Sequence, residues 1–338
     1  MKLLSFAVPC YNSAAYMEHC VETLLHGGED VEIIIVDDGS QKDNTAEIAD
    51  RLASEHPTIV KAVHQENGGH GQAVNTGLKN ATGLFFKVVD SDDWVETKMY
   101  GVLLQMIENN NADISVCGTW FEFMNKKRNM NIADAFYSGQ ASIVQATISD
   151  QINNHVWNKL YKRECLTDLC FPEGKTYEDL ATTYKVLLKA HSVSCTSTPF
   201  YHYRMREGSI THSYTMNNLK DFWNAGYGRY LSLKEIPEVK NNQKILRNLE
   251  KELAGIVAWI WRSTYRISST QRDYIFLHKV SYFVQNHFPL FGRNDWNNNL
   301  RICIFFSRFS SQIDLSIFFL HVICVAHKKI ARQKIQLQ

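Results

Sequence analysis

Four short apolar runs spaced by helical stretches constrain this chain more than any other feature. They are "LLSFAV" (3–8), "VEIIIV" (31–36), "IVKAVH" (59–64) and "LFFKVV" (84–89). Runs of this length without regular polar alternation suit strands buried on both faces. Between them, the stretch from Ser13 to Leu25 and "NTAEIADRLASEH" carry helical spacing. Strands alternating with helices predict an α/β fold, a Rossmann-like and mostly parallel sheet flanked by helices.

Polar clusters fall at the carboxyl ends of these strands, the edge where open α/β sheets bind ligands. "PCYN" (9–12) follows the first run, "DDGS" (37–40) the second and "DSDD" (90–93) the fourth. One such cluster reads equally well as a polar turn; three on one edge point to a site. Asp90-Ser91-Asp92 is a D-x-D turn able to direct hard oxygens at a single Mg²⁺ or Mn²⁺. Two carboxylates are too few for a protein cage, so such an ion completes its shell with water and substrate phosphate. Trp94 and Val95 stand where an EF-hand needs an oxygen ligand and a glycine. Asp37 and Asp38 read either as contacts to a ribose or base, or as acids favoured by a following helix.

In "NGGHGQAVNTG" (67–77), Val74 stands where a dinucleotide fingerprint needs its third glycine. Its glycines, Gly69 among them, let backbone approach a sugar or diphosphate closely. Glu178 and Asp179 open an amphipathic helix, as plain dipole partners or as a catalytic acid pair. Arg204 and Arg206 precede Gly208-Ser209, a clamp for a departing diphosphate or an ordinary basic loop. No HExxH or close metal-spaced histidine pair occurs among the 13 histidines.

The second part of the chain changes character. "ADISVCG" (112–118), "FEFM" (121–124), "VWNKLYKRE" (156–164) and "VSCTSTPFYHYR" (193–204) read as strands, with a helix over 178–191. Beyond Thr215 the pattern turns helical, which sets the expected domains at 1–215 and 216–338. Residues 241–338 hold 14 Lys+Arg against 5 Asp+Glu, whereas residues 1–240 hold 22 against 30. A basic, aromatic-rich tail behind an acidic body suits an anionic surface, nucleic acid or membrane. "LSIFFLHVICVA" (315–326) is short of the ~20 residues a span needs. With "HKKIARQK" after it, this stretch reads either as a membrane-surface element or as a core helix with a solvated basic end. The eight cysteines lack a CxxC pair and no secretory leader opens the chain, so a reducing cytoplasm is expected.

Taken in order, "VPCYN", "VDDGS", "ENGG…NTGLKNATG", "DSDDWV", "ED" and "YHYRMREGSITHS" resemble family-2 nucleotide-sugar glycosyltransferases of the GT-A fold. The resemblance covers about residues 3–215 and is specific as a set. It is similar in particular to bacterial enzymes of capsule, exopolysaccharide and teichoic-acid synthesis. What it implies is inverting transfer of a sugar from a UDP-sugar, aided by Mn²⁺ or Mg²⁺, to a glycan or lipid-linked acceptor. Nucleic acid is not an implied partner; a homo-oligomer and peripheral contact with the inner face of the membrane are compatible with it. Carried over by position, Pro9 and Tyr11 resemble the nucleotide-contacting first loop. Asp38 matches the aspartate that meets uracil, with Asp37 beside it. Asn67, Gly69, Asn75 and Ser91 complete the donor-binding set. Asp92 would bind the metal, with Asp90 on the donor sugar, the ribose or the same ion. Asp179 matches the general base, and Glu178 its acidic neighbour at the acceptor pocket. Arg204, Arg206 and Ser209 resemble a segment closing over the pyrophosphate.

One departure stands out. Many relatives read Ala-Arg-Asn where this chain has Ala73-Val74-Asn75, preceded by His70 and Gln72. A basic contact to the donor is therefore missing or supplied elsewhere. Two other readings compete. A nucleotidyltransferase typically needs a basic, glycine-rich first loop, and "VPCYNSAAY" has neither lysine nor arginine. A non-catalytic sugar-nucleotide or polysaccharide-binding protein has no need of both Asp92 and Asp179.

Overall fold

The computed structural model describes residues 2–288 except 100, 103–104, 106–111, 125, 131, 207–213 and 265. Ser209 and the tail stretch 315–334 lie outside the described residues. The chain divides into two compact units, Met1–Ser209 and Ile210–Gln338.

In the first unit, β1 (Leu4–Cys10), β2 (Val31–Asp37), β3 (Val60–His64) and β4 (Phe85–Val88) lie in the order β3-β2-β1-β4, all parallel. Every residue of β1 and β4 is buried, as the uninterrupted apolar runs require. The crossovers carry α1 (Met17–Leu24), α2 (Thr45–Glu55) and α3 (His70–Asn80). The glycine-rich stretch is therefore mostly helix. Gly77 explains part of this, because a Cβ there would stand 2.5 Å from Cβ of Ala7, so α3 lies close on β1.

Beyond β4 the sheet is mixed, where a mostly parallel sheet was expected. The remaining strands are β5 (Trp94–Val95), β6 (Ile114–Phe123), β7 (Lys126–Met130), β8 (Ala135–Ser138), β9 (Lys159–Lys162) and β10 (Ser192–Arg204). The sheet continues β4-β9-β6-β10-β5, with β7 on β6 and β8 on β10. β9 runs antiparallel to both β4 and β6, a single reversed strand between two that run the same way. The two runs expected at 112–124 form one strand, β6. Two further helices, α4 (Gln140–Ile148) and α5 (Glu178–Lys189), belong to this half.

Lys87, the one charge in the fourth apolar run, is fully buried. Its Nζ donates to the carbonyls of Trp157 (2.5 Å) and Lys159 (3.3 Å), which secures the segment leading into β9. Burial pushes its ammonium down to about 8.

The second unit is helical among its described residues: α6 (Met216–Lys234), α7 (Pro237–Lys240), α8 (Gln243–Thr264) and α9 (Tyr274–His287). Thr215 caps α6 and Asp273 caps α9, each accepting a backbone N–H three residues on. Trp261 is fully buried and its indole N–H donates to Ser281 Oγ at 2.7 Å. No helix among the described residues is long and apolar enough to cross a membrane.

Candidate active site

The three polar clusters meet where β1, β2 and β4 end, and side-chain bonds tie them together. Asn12 holds a left-handed backbone (φ 50°), and its Oδ1 accepts the N–H groups of Gln41 and Lys42. Ser91 Oγ lies 2.8 Å from Ser13 Oγ, which joins the D-x-D turn to the loop after β1. Pro9 lies one residue before the end of β1, opposite Val36, and Tyr11 just past the strand is half exposed.

The carboxylates of the D-x-D turn divide their labour. Asp93 is 2% exposed, and its Oδ2 accepts the Tyr201 hydroxyl at 2.7 Å while Oδ1 accepts the Arg204 N–H at 2.8 Å. Burial, then the neighbouring Asp90 and Asp92, hold the Asp93 carboxyl well above the usual range. The Tyr201 hydroxyl in turn accepts the N–H of Asp90 at 3.1 Å. Asp93 is thus a buried strut, and Asp90 and Asp92 are the pair left partly open, with side chains 23% and 21% exposed.

Each of these two meets a cation. Asp92 Oδ2 accepts Arg206 Nε at 2.5 Å, and its carbonyl accepts Arg204 Nε at 2.9 Å. Both guanidinium groups lie over the ring of Tyr16, 5.2 Å from its centroid. Asp90 Oδ1 lies 2.9 Å from Nε2 of His70. The other carboxylate oxygens, Asp92 Oδ1 and Asp90 Oδ2, have no protein hydrogen bond among the described residues. No cluster of three or more His, Cys, Asp or Glu able to hold a metal occurs among them. Two hard oxygens with open lone pairs fit a divalent ion that takes its remaining ligands from water and phosphate.

The loop after β2 is internally committed. Asp37 accepts the Ser40 N–H at 3.1 Å and faces His64 Nδ1 at 3.2 Å. Asp38 is 3% exposed; Oδ1 accepts Gln65 Nε2 and the Gly68 N–H, and Oδ2 accepts the Gly69 N–H at 2.9 Å. These bonds pin the glycine-rich loop to the end of β2. Gly69 (φ 83°) occupies the left-handed region at the start of α3, and Asn67 is exposed beside it. The Asn75 amide is clamped to the backbone of Phe171, accepting its N–H (2.8 Å) and donating to its carbonyl (2.9 Å).

Opposite the D-x-D turn, α5 begins at Glu178 after Tyr177, whose backbone is left-handed (φ 61°). Glu178 Oε1 lies 2.7 Å from Nδ1 of His70, off the line of a straight hydrogen bond. Burial opposes a proton on His70, but Glu178 and Asp90 outweigh it and raise the imidazole well above its usual value. Asp179 Oδ1 accepts the Leu180 N–H at 2.6 Å, and Oδ2 lies 3.8 Å from His155 Nδ1. His155 stacks on Trp157, which stacks on Tyr201. Beneath them Lys159 is fully buried, its Nζ donating to Asn153 Oδ1, the His155 carbonyl and Asn158 Oδ1.

The fold thus assembles Asp90, Asp92, Arg204, Arg206, Glu178 and Asp179 around one edge. Asp37, Asp38, Asn75 and Ser91 have side chains engaged with the scaffold. His70, Asp93, His155, Trp157 and Tyr201 carry no assigned role on sequence grounds. Of these, only His70 left a signal, as the odd residue in the glycine loop.

The sequence model of glycosyl transferase family 2 matches residues 5–172. Glycosyltransferase GlyG of Streptococcus pneumoniae serotype 4 (strain ATCC BAA-334 / TIGR4) is 33% identical over 225 residues, covering 62% of this chain and 73% of that protein. The chain belongs to glycosyl transferase family 2. EpsH of Bacillus subtilis (strain 168) is also 33% identical, over 62% of this glycosyltransferase and 63% of EpsH. In fold, this family 2 chain resembles the S. aureus TarS 1–349 structure in complex with UDP-GlcNAc. The TM-score is 0.66 at 20% identity, over 95% of this chain and 90% of that one. The mixed sheet flanked by helices, with a helical region after it, is therefore GT-A-like. Family membership decides against the nucleotidyltransferase and binding-protein readings.

Proposed function

We propose that this family 2 enzyme transfers a sugar from a UDP-sugar, with inversion, to a glycan or lipid-linked acceptor in bacterial cell-surface polysaccharide synthesis. The observation that carries the reading is the meeting of the D-x-D pair with Glu178-Asp179 across a single side chain, His70. A donor-side and an acceptor-side carboxylate pair facing one cleft suit a single displacement. The resemblance of the fold to TarS, solved with UDP-GlcNAc, supports UDP as the nucleotide, and the relatives' bacterial sources support the setting.

In this reading Asp92, with Asp90 beside it, holds a divalent ion. When bound, the ion neutralises charge on the departing diphosphate as a Lewis acid. Arg204 and Arg206 lie against Asp92 and supply the basic contacts that the glycine loop lacks. Pro9, Tyr11 and Asp38 line the nucleotide side, where the second lone pair of Asp38 Oδ2 remains for the base. Asp179 takes the acceptor's hydroxyl proton as that oxygen attacks the anomeric carbon. Its place in the first turn of α5 favours the ionised carboxylate. Residues 1–215 form the catalytic domain, and 216–338 a basic region, helical in its described part, that rests on anionic lipid at the cytoplasmic face.

Metal-dependent hydrolysis of a panel of UDP-sugars, followed by NMR of the transfer product, tests this. Asp179→Asn is expected to lower transfer ~10²–10⁴-fold with UDP binding intact, and Asp92→Ala to abolish the tightening of UDP by Mn²⁺. A product of retained configuration, or full activity in Asp179→Asn, refutes the mechanism.

A further inference from the structure

His70 sits at the first position of α3, between two carboxylates from distant parts of the chain. Nε2 hydrogen-bonds Asp90 Oδ1 at 2.9 Å, and Nδ1 lies 2.7 Å from Glu178 Oε1 in a charge contact off the line of a hydrogen bond, so each ring nitrogen faces one acid. A plain structural histidine at a helix start would be expected to bond its own backbone or water. This position also disfavours a cation, because the helix dipole presents its positive end there. Two facing acids offset that cost, and in doing so they become joined to each other. An acid already faces each nitrogen, so the charge of His70 is directed at Asp90 and Glu178 rather than held for a diphosphate.

We infer that His70 is a positioning residue that holds the donor-side carboxylate Asp90 and the acceptor-side carboxylate Glu178 at a fixed separation. The inference rests on the proposed function for the meaning of the two sides, but not for the bridge itself. Fixing that separation sets the approach of acceptor hydroxyl to anomeric carbon, where a displacement of about 1 Å costs on the order of a hundredfold in rate. The glycine loop brings the residue into place. Gly69 (φ 83°) turns the chain into α3, and Gly71 packs so closely that a Cβ there would stand 2.4 Å from the Pro172 carbonyl.

Two measurements test this. The first is a double-mutant cycle on urea unfolding with Asp90→Asn and Glu178→Gln, which needs no activity. With His70 present, the two substitutions are expected to be non-additive by about threefold or more in the folding equilibrium constant. In a His70→Ala background they should become additive. Additivity in the presence of His70 overturns the bridge.

The second is kinetic. His70→Ala is expected to lower kcat for transfer about ten- to a hundredfold while the Kd for UDP moves less than about threefold, so that donor hydrolysis gains on transfer. The ring is partly open to solvent, so added imidazole should restore transfer. His70→Gln, which reaches only one carboxylate, should not. Equal loss of transfer, hydrolysis and UDP affinity in His70→Ala, or no loss at all, overturns the positioning role. A wild-type protein that neither hydrolyses nor transfers any UDP-sugar refutes the proposed function, and the unfolding cycle still decides the bridge.

Discussion

Tyr201→Phe removes one oxygen from the interior and should loosen the D-x-D turn from below. The hydroxyl donates to Asp93 Oδ2 at 2.7 Å and accepts the Asp90 N–H at 3.1 Å, and the residue is fully buried. Phenylalanine keeps the ring, its stacking on Trp157 at 4.7 Å between centroids and its contact with Lys87. Packing therefore changes little, and the loss is polar. A buried hydrogen bond contributes about 0.5–1.5 kcal/mol, and an orphaned buried N–H costs about 1–3 kcal/mol. Asp93 retains the Arg204 N–H, and water can reach the partly exposed Asp90, so both terms fall toward their lower ends. The expected destabilisation is about 1.5–3 kcal/mol, read as a lower urea midpoint with an unchanged m value. Because the Asp90 N–H loses its anchor, the tightening of UDP by Mn²⁺ should weaken as well. A loss below about 0.5 kcal/mol, the range of ordinary surface substitutions, would mean that the Asp93–Tyr201–Asp90 chain does not hold the turn.

Other expectations follow from packing and charge. Gly77→Ala places a methyl 2.5 Å from Cβ of Ala7; overpacking of about 1–3 kcal/mol, offset by up to about 1 kcal/mol of helix propensity, should lower Tm. An unchanged Tm would mean that α3 can slide off β1 freely. Burial pushes Lys159 down to about 7 and Lys87 down to about 8, below the ordinary lysine value of about 10.4. From about pH 7 upward these two lysines bind fewer protons in the fold than in the unfolded chain, so their own contribution to stability rises with pH, against His70 and Asp93, which hold protons in the fold. Above about pH 8.5 the thiols also oppose it, because burial holds Cys10, Cys20 and Cys117 protonated in the fold while their unfolded thiols ionise. In Lys159→Met the slope of the urea midpoint against pH should therefore fall relative to the wild type between about pH 7 and 8.5; an unchanged slope would contradict this. Among the described cysteines Cys170 alone is exposed, so mass spectrometry after brief alkylation should find it modified before Cys10, Cys20, Cys117, Cys165 or Cys195.

Local pattern by itself determined the parallel half of the sheet. Runs such as Val31–Val36 have no polar face to turn to water, so they form strands covered on both sides, and their ends place "PCYN", "DDGS" and "DSDD" on one edge. The same reading located the helix starting at Glu178, because its apolar residues recur at helical spacing. It did not show that β9 enters reversed beside β4, since pairing partners separated by some 75 residues leave no mark on local periodicity. Nor did it separate the three acids of the turn. Asp90, Asp92 and Asp93 are chemically alike in sequence, and only the approach of Tyr201 and Arg204 from β10 makes Asp93 a buried strut. His70 is the clearest case. In the sequence it is one odd residue in a glycine loop, whereas in the fold its two nitrogens face acids 20 and 108 positions away. Propensity and periodicity act over a turn or two of chain, but an imidazole's partners are whatever the packing of α3, β4 and α5 brings within 3 Å.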